Sequence, residues 1–342
     1  MKDTEVRLGH GSGGAMMRRL IDELFLEEFT DEAALPGDDA AVMELGMKPG
    51  DRLAMSTDSF VVTPHFFPGG NIGHLAVCGT VNDVATAGAE VKYLSCGFVL
   101  EEGYPINSLR EIVKTMAATA AKAGVAIVTG DTKVVERSHA DGVFINTAGV
   151  GVVPAGRTLS GANCRPGDKV LLSGTLGDHG IAIISQREGL AFSTTIESDA
   201  APLNGLIADV LAAAPNTRAF RDPTRGGLAS TLNEFAESSG VDIMVDEALV
   251  PVRDEVRGAC EMLGYDVFQV ANEGKMVAVV PADEAEAALA AMRANTYGSD
   301  AAIIGEVCAP DIHGGHTVRL RTPFGATRIL DMLVGEQLPR IC

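Results

Sequence analysis

From Arg52 onwards the chain alternates β-type and helical runs, and no other feature of the sequence narrows its fold so far. Strand-like runs at 52–62, 91–100, 125–128 and 143–153 enclose helical patterns at 72–89 and 106–123. A composition shift at Pro154-Ala155-Gly156 follows, and a second series begins with a strand at 169–173. Helices at 181–188, at 203–214 and up to Gly240 continue it. Such alternation points to an α/β (α+β) protein. A length of 342 residues suggests two domains, each able to bury a core. The expected division is 1–155, 156–331 and a tail at 332–342. With 39 Gly, no Trp and aromatics at 5%, the cores must be built from Ala, Val, Ile, Leu and Met.

The tail cannot end as a helix or a central strand, because Pro339 fixes φ and lacks an N–H. It has no long apolar pattern, so an extended, movable segment is expected. Eleven residue steps from Asp331 to Cys342 reach about 36–40 Å, enough to visit a neighbouring site and withdraw. A frayed end that happens to finish on Cys is the plainer account. A lipid anchor is disfavoured, since no polybasic or second acylation signal accompanies the Cys.

The formal charge of −19 repels nucleic acid and anionic membranes. A nucleoside triphosphate would be repelled too, unless divalent metal bridges it to carboxylates. Six scattered Cys form no C-x-x-C pair and no zinc spacing. Residues 1–8 are polar and charged, with no signal-peptide pattern, and no apolar run has membrane-spanning length. A cytoplasmic protein with reduced thiols is expected.

Gly11, Gly13 and Gly14 sit in a glycine-rich loop opening a helical pattern, where backbone N–H groups can meet phosphate. The loop fits neither the Walker nor the dinucleotide spacing. Asp38 and Asp39 stand at a turn, Asp58 inside a β-rich run that Ser56-Thr57-Asp58-Ser59 interrupts, and Asp83 beside Asn82 in a small-residue helix. Any one of them reads as a cap, a turn or a solvent-facing acid. Together, flanked by small and apolar residues, they suggest a hard-cation cluster completed by phosphate. Asp222-Pro223-Thr224-Arg225-Gly226-Gly227 opens a helix with an acid and an arginine, which suits metal–phosphate chemistry. Asp131 and Lys133 end the buried strand 125–128. Asn272-Glu273-Gly274-Lys275 separates two apolar runs, and turn chemistry favours a hairpin there. His313 and His316 read as a surface hairpin, and Cys78, Cys96, Cys164, Cys260 and Cys308 as core filler.

These segments together resemble the ATP-binding aminoimidazole-ribonucleotide-synthetase superfamily, which includes selenophosphate synthetase and thiamine-monophosphate kinase. The likeness lies in Gly37-Asp38-Asp39-Ala40-Ala41-Val42, Ser56-Thr57-Asp58-Ser59, Asn82-Asp83 and Asp222-Pro223-Thr224-Arg225-Gly226-Gly227. Four further stretches resemble its HypE family of hydrogenase-maturation carbamoyl dehydratases. They are Phe67-Pro68-Gly69-Gly70-Asn71-Ile72-Gly73, Gly130-Asp131-Thr132-Lys133-Val134-Val135, Asn272-Glu273-Gly274 and the terminal Pro339-Arg340-Ile341-Cys342. His74 stands where that family is expected often to carry Lys.

The resemblance implies two domains, an N-terminal sheet that dimerises into a barrel-like interface, and a C-terminal mixed sheet with helices. It implies a homodimer with ATP between the two sheets and the glycine-rich arm, near Gly11, Gly13, Gly14, Asp131, Thr224 and Arg225. Mg²⁺ would be held by Asp39, Asp58, Asp83 and Asp222. A HypF-type carbamoyltransferase would load Cys342, ATP-dependent dehydration would make an S-thiocyanate, and a HypC–HypD-type complex would pass the cyanide to [NiFe] hydrogenase iron. Glu273 and Lys133 are the expected proton acceptors or orienting partners. A kinase or selenophosphate synthetase of the same fold, or a thiol carrier without catalysis, are the alternatives.

Overall fold

A computed structural model describes residues 3–29, 40–190, 196–310, 316–335, 338 and 340–342. Asp38 and Asp39, like His313, lie outside the described residues. A 3-10 turn at Leu8–Gly11 precedes α1 (Ala15–Leu20), which runs through a π-helical turn into α2 (Leu26–Glu28). Next come β1 (Arg52–Phe60), the short pair β2 (Phe66–Phe67) and β3 (Gly70–Asn71), and α3 (Ile72–Thr86). β4 (Glu90–Glu101), α4 (Ile106–Ala123), β5 (Ala126–Val135) and β6 (Val143–Val153) complete the first half. The sheet order is β1-β6-β4-β5. Only β4 and β5 are parallel, and α4 makes the crossover that a parallel pair needs.

Two strands differ from their sequence reading. β1 runs unbroken through Asp58, and β5 continues past Val128 to carry Asp131 and Lys133 within it. Both lie at sheet edges: Asp131 and Lys133 stand on the open face, where polar side chains are tolerated, while Asp58 turns towards α3.

α3 is buried on nearly every side, as a helix apolar all round must be. Asn71 starts it, its side-chain oxygen accepting from the Gly73 and His74 N–H groups at 2.9 and 3.1 Å. Its small residues let it wedge between the first sheet and the second half of the chain.

That second half contains β7 (Lys169–Leu172), α5 (Asp178–Glu188), α6 (Asn204–Ala213), β8 (Ala219–Arg221), α7 (Gly227–Ser239) and β9 (Asp242–Asp246). α8 (Asp254–Leu263), β10 (Val277–Val280), α9 (Ala285–Ala294), β11 (Ala302–Cys308), β12 (Val318–Arg321) and β13 (Thr327–Ile329) follow. The mixed sheet has the order β13-β12-β9-β11-β7-β10-β8, with β9 and β12 parallel. Strand alternation splits its core in two. Val170, Leu172, Val277 and Val279 pack with α5, α7 and α8. Leu171, Ala278 and Val280 pack with α6 and α9, in a core continuous with that of the first half. Every residue of β10 is buried, as its unbroken apolar run requires. Among the described residues no helix is long and apolar enough to cross a membrane.

Candidate functional site

Three carboxylates meet where β1, α3 and the end of β8 come together. Ser56 and Asp58 share the face of β1 that looks at α3, since strand side chains alternate. The Ser56 hydroxyl donates to Asp83 at 2.9 Å. Asp58 lies against Gly79, one helical turn before Asp83, and its Oδ1 accepts from the Ser59 N–H at 2.8 Å. Asp222 leaves the end of β8 towards the same point. Burial pushes all three carboxyls up in pKa, and Asp58 and Asp83 add repulsion to their neighbours. Asp222 reaches about 7.

The Asn272–Lys275 segment is not a hairpin. The run before it ends in a 3-10 turn, Val267–Gln269, and only the run after it is a strand. All four residues are buried. The Asn272 amide donates to the Pro223 carbonyl at 3.0 Å and accepts from the Gly177 N–H at 2.7 Å, tying three loops together. A Cβ on Gly274 would stand 1.6 Å from the Asp199 carbonyl oxygen, so only glycine allows that approach. The Glu273 N–H donates to Asp199 at 3.1 Å, and Lys275 pairs with Asp199 at 3.2 Å. Glu273 is thereby fixed by its backbone, while its Oε1 has no hydrogen-bond partner among the described residues. Burial, then Asp222, Asp199, Asp58 and Asp83, hold this carboxyl well above the usual range.

The chain end comes to the same place. Cys342 is 8% exposed and Ile341 2%, so the segment expected to be movable is docked at its end. The Val61 N–H donates to the Cys342 carbonyl at 3.0 Å. A cleft of about 430 Å³ beside the thiol is lined by Ser59, Arg225, Gln269 and Arg340, among others. Burial, then Glu273, pushes the thiol up to about 12, and Arg225 only partly opposes this. A docked Cys342 is therefore a protonated thiol and a poor nucleophile. Arg340, two residues before the thiol, pairs with Asp141 and donates to the Val61 carbonyl.

Thr224 and Arg225 lie between Asp222 and the start of α7. There Gly227, at φ 60°, lets the helix approach the Phe268 and Val270 carbonyls. The remaining expected residues stand elsewhere. Gly11 packs against Val134 on β5, and Gly13 and Gly14 lead from it into α1. Lys133 pairs with Asp131 at 2.5 Å, both exposed on the open sheet face. β5 and β1 are opposite edges, separated by two strands and so by about 14 Å. One chain does not bring Lys133 to the thiol.

Asp58, Asp83 and Asp222 offer oxygen donors alone, with repelling charges and an orphaned Glu273 oxygen beside them, and this fits a hard divalent cation. Among the described residues no three such side chains gather tightly enough to hold a bare ion. The sequence reading missed Asp199, Lys275 and His179. Asp199 lies in a stretch with no periodic pattern, and Lys275 was assigned to a surface turn.

The cluster predicts a pH dependence. Asp222 titrates near 3.8 when unfolded and about 7 when folded, so the stability from its protonated form is full at low pH and lost as pH rises through 7. Glu273 acts in the same direction. Partly buried His65 and His74 and fully buried His179 act oppositely, but only below their ordinary 6.5. Between pH 6.5 and 8 the ligand-free protein should therefore lose stability, with Asp222 contributing about 1 kcal/mol. Urea unfolding of Asp222→Asn should show that much less pH dependence, and a slope equal to that of the unaltered protein would remove Asp222 from the cluster.

The AIR synthase related protein N-terminal domain model matches residues 37–153, and the C-terminal domain model matches 165–316. Carbamoyl dehydratase HypE of Cupriavidus necator is 54% identical over 342 residues, covering 100% of this chain and 96% of the relative. That of Azotobacter vinelandii is 55% identical, covering 100% and 98%. A crystal structure of hydrogenase maturation protein HypE in complex with ATP superposes with a TM-score of 0.94 at 48% identity, covering 98% of this chain and 99% of that one. A HypE–HypF complex gives a TM-score of 0.80 at 48% identity, covering 94% and 100%.

Proposed function

The chain belongs to the AIR synthase related proteins and, within them, to the carbamoyl dehydratase HypE family, and from that premise we propose that its substrate is its own terminus. An S-carbamoyl group on Cys342 is dehydrated to an S-thiocyanate, the source of the cyanide ligand of [NiFe] hydrogenase iron. The observation that carries this reading is the buried Cys342 thiol, close enough to Glu273, Asp58 and Asp222 for their charges to oppose its ionisation.

The chemistry follows from what surrounds the thiol. ATP supplies the phosphoryl group that makes the carbamoyl oxygen a leaving group, and Mg²⁺, which Asp58, Asp83 and Asp222 would hold, would supply charge neutralisation. As the C–O bond breaks, the oxygen departs on phosphate. The nitrogen gives up both its protons and the C≡N bond forms, so thiocarbamate and ATP become thiocyanate, ADP and phosphate without change of oxidation state. Glu273 is the group placed to take a proton from that nitrogen. Three of the four carboxylates that raise its pKa are the metal-holding ones, so charge neutralised there makes the Glu273 carboxylate easier to form. Burial keeps out water that would otherwise compete for the activated carbon.

Lys133, Asp131 and the glycine arm join this site across a homodimer in our reading. The outer face of the first sheet supports it, with Leu53 53%, Met55 68% and Val99 36% exposed on β1 and β4. Pairing two such faces carries the β5 edge of one chain to the β1 edge of its partner. A HypF-type carbamoyltransferase is the donor partner, in line with the solved HypE–HypF complex, and a HypC–HypD-type complex is the acceptor.

Intact-protein mass tests the reaction. Protein carrying an S-carbamoyl group should lose the mass of one water only when ATP and Mg²⁺ are both present, with one phosphate released. Phosphorylation of a free small molecule at the same rate with or without Cys342 would make a same-fold kinase the better account.

A further inference from the structure

α5 carries two side chains that the dehydration scheme does not use, and both reach the main chain of the tail. His179 is fully buried; its Nε2 lies 2.8 Å from the Ile341 carbonyl oxygen and its Nδ1 2.7 Å from the Ser198 hydroxyl. A carbonyl only accepts, so Nε2 bears the hydrogen, and Nδ1 accepts from Ser198. Burial holds the imidazole pKa down, which agrees with a neutral ring in that tautomer. The edge-on Phe67 ring, 5.8 Å away, fixes its plane. Two turns further along α5, Arg187 donates to the Arg340 carbonyl at 2.8 Å and to the Thr63 carbonyl at 2.8 and 3.0 Å. Consecutive tail carbonyls are thus gripped from one helix, while the Val61 N–H takes the next.

The backbone between these grips is not relaxed. Arg340 sits at φ 52°, in the left-handed region that a long side chain disfavours. The described tail residues form no strand or helix that would keep that conformation unaided. We propose that α5 is the cradle of the tail: His179 and Arg187 are positioning residues that hold the Ile341 and Arg340 carbonyls and so set the Cys342 thiol against Glu273. The inference rests on the dehydratase reading for its catalytic consequence, though not for the docking itself.

Opposite effects on two half-reactions follow. Carbamoyl loading needs an accessible thiolate, which the buried Cys342 is not, whereas dehydration needs the docked thiol. Weakening the cradle must therefore favour the first and impair the second. A merely structural role would not split them in this way.

The test uses full-length protein, with a maleimide as probe and Cys342 modification read on the C-terminal peptide by mass. His179→Ala and Arg187→Ala should each raise the Cys342 labelling rate about five- to tenfold, as expected for one lost hydrogen bond. His179→Gln, whose amide can donate to the same carbonyl, should return labelling towards the starting rate. With the carbamoyltransferase, both alanine variants should load Cys342 at least as fast as the unaltered chain. With ATP and Mg²⁺ they should then lose water several-fold more slowly. Unchanged labelling in both alanine variants overturns the proposal, as does slowed loading together with slowed dehydration. Arg187 is only partly buried, so its variant keeps the test open should His179→Ala fail to fold. Faster labelling in variants of a protein that never loses water would sink the dehydratase reading and leave the cradle standing.

Discussion

Glu273→Gln protein is expected to accept a carbamoyl group on Cys342 and then stall, with dehydration slowed by roughly 10²–10⁴-fold. The change keeps the shape of the side chain and removes its capacity to take a proton. Folding should survive, because Glu273 is positioned by its main-chain N–H on Asp199 and by the neighbouring Asn272 and Gly274, none of which the substitution touches. Removing a buried carboxyl that four others repel should even raise the stability of the ligand-free protein. Loading by the carbamoyltransferase is spared, since it acts on the thiol when the tail is released. Intact mass separates the steps: S-carbamoyl protein should accumulate without the later loss of water. Dehydration at the unaltered rate would hand the proton to another group, with Lys133 of a partner subunit the next to test.

The parts of this molecule legible from sequence are those set by local pattern. The helix at 106–123 shows its buried face as Leu109, Ile112, Val113, Met116 and Ala120, and ends where Gly124 takes a left-handed φ of 70°. Asp58 and Asp83 were legible as members of one cluster because carboxylates set among small and apolar residues need a common reason, whereas Asp222 joined them only through the family resemblance. What pattern could not carry is contact between distant segments. Gly274 against Asp199 turns an apparent hairpin loop into a buried wall of the site, yet turn chemistry reads only adjacent residues. The docked end of the tail depends on His179 and Arg187, more than 150 positions earlier, and the tail's own composition still reads as loose chain. Lys133 and Asp58 sit at opposite edges because of strand order, which alternation of strands and helices leaves open.

Cys342→Ala should abolish the reaction altogether while leaving nucleotide binding intact. The substitution takes away the atom that bears the carbamoyl group, so neither the loaded nor the dehydrated mass should ever form. ATP affinity by calorimetry should stay within about twofold, because the carboxylates and the glycine arm are held by β1, α3, β5 and β8 rather than by the tail. A subtler change probes the fit of the docked end. The Cys342 carbonyl already accepts from Val61, and the residue is buried, so a glycine appended after it must either push the thiol back along the tail or break that bond. One residue of extended chain is about 3.3–3.6 Å, and a misplacement of even 1 Å can cost about a hundredfold in rate. The extended protein should therefore load normally and dehydrate about a hundredfold more slowly. Equal dehydration with and without the added glycine would mean that the thiol reacts in some other, looser position, and the docked geometry would then not be the reacting one.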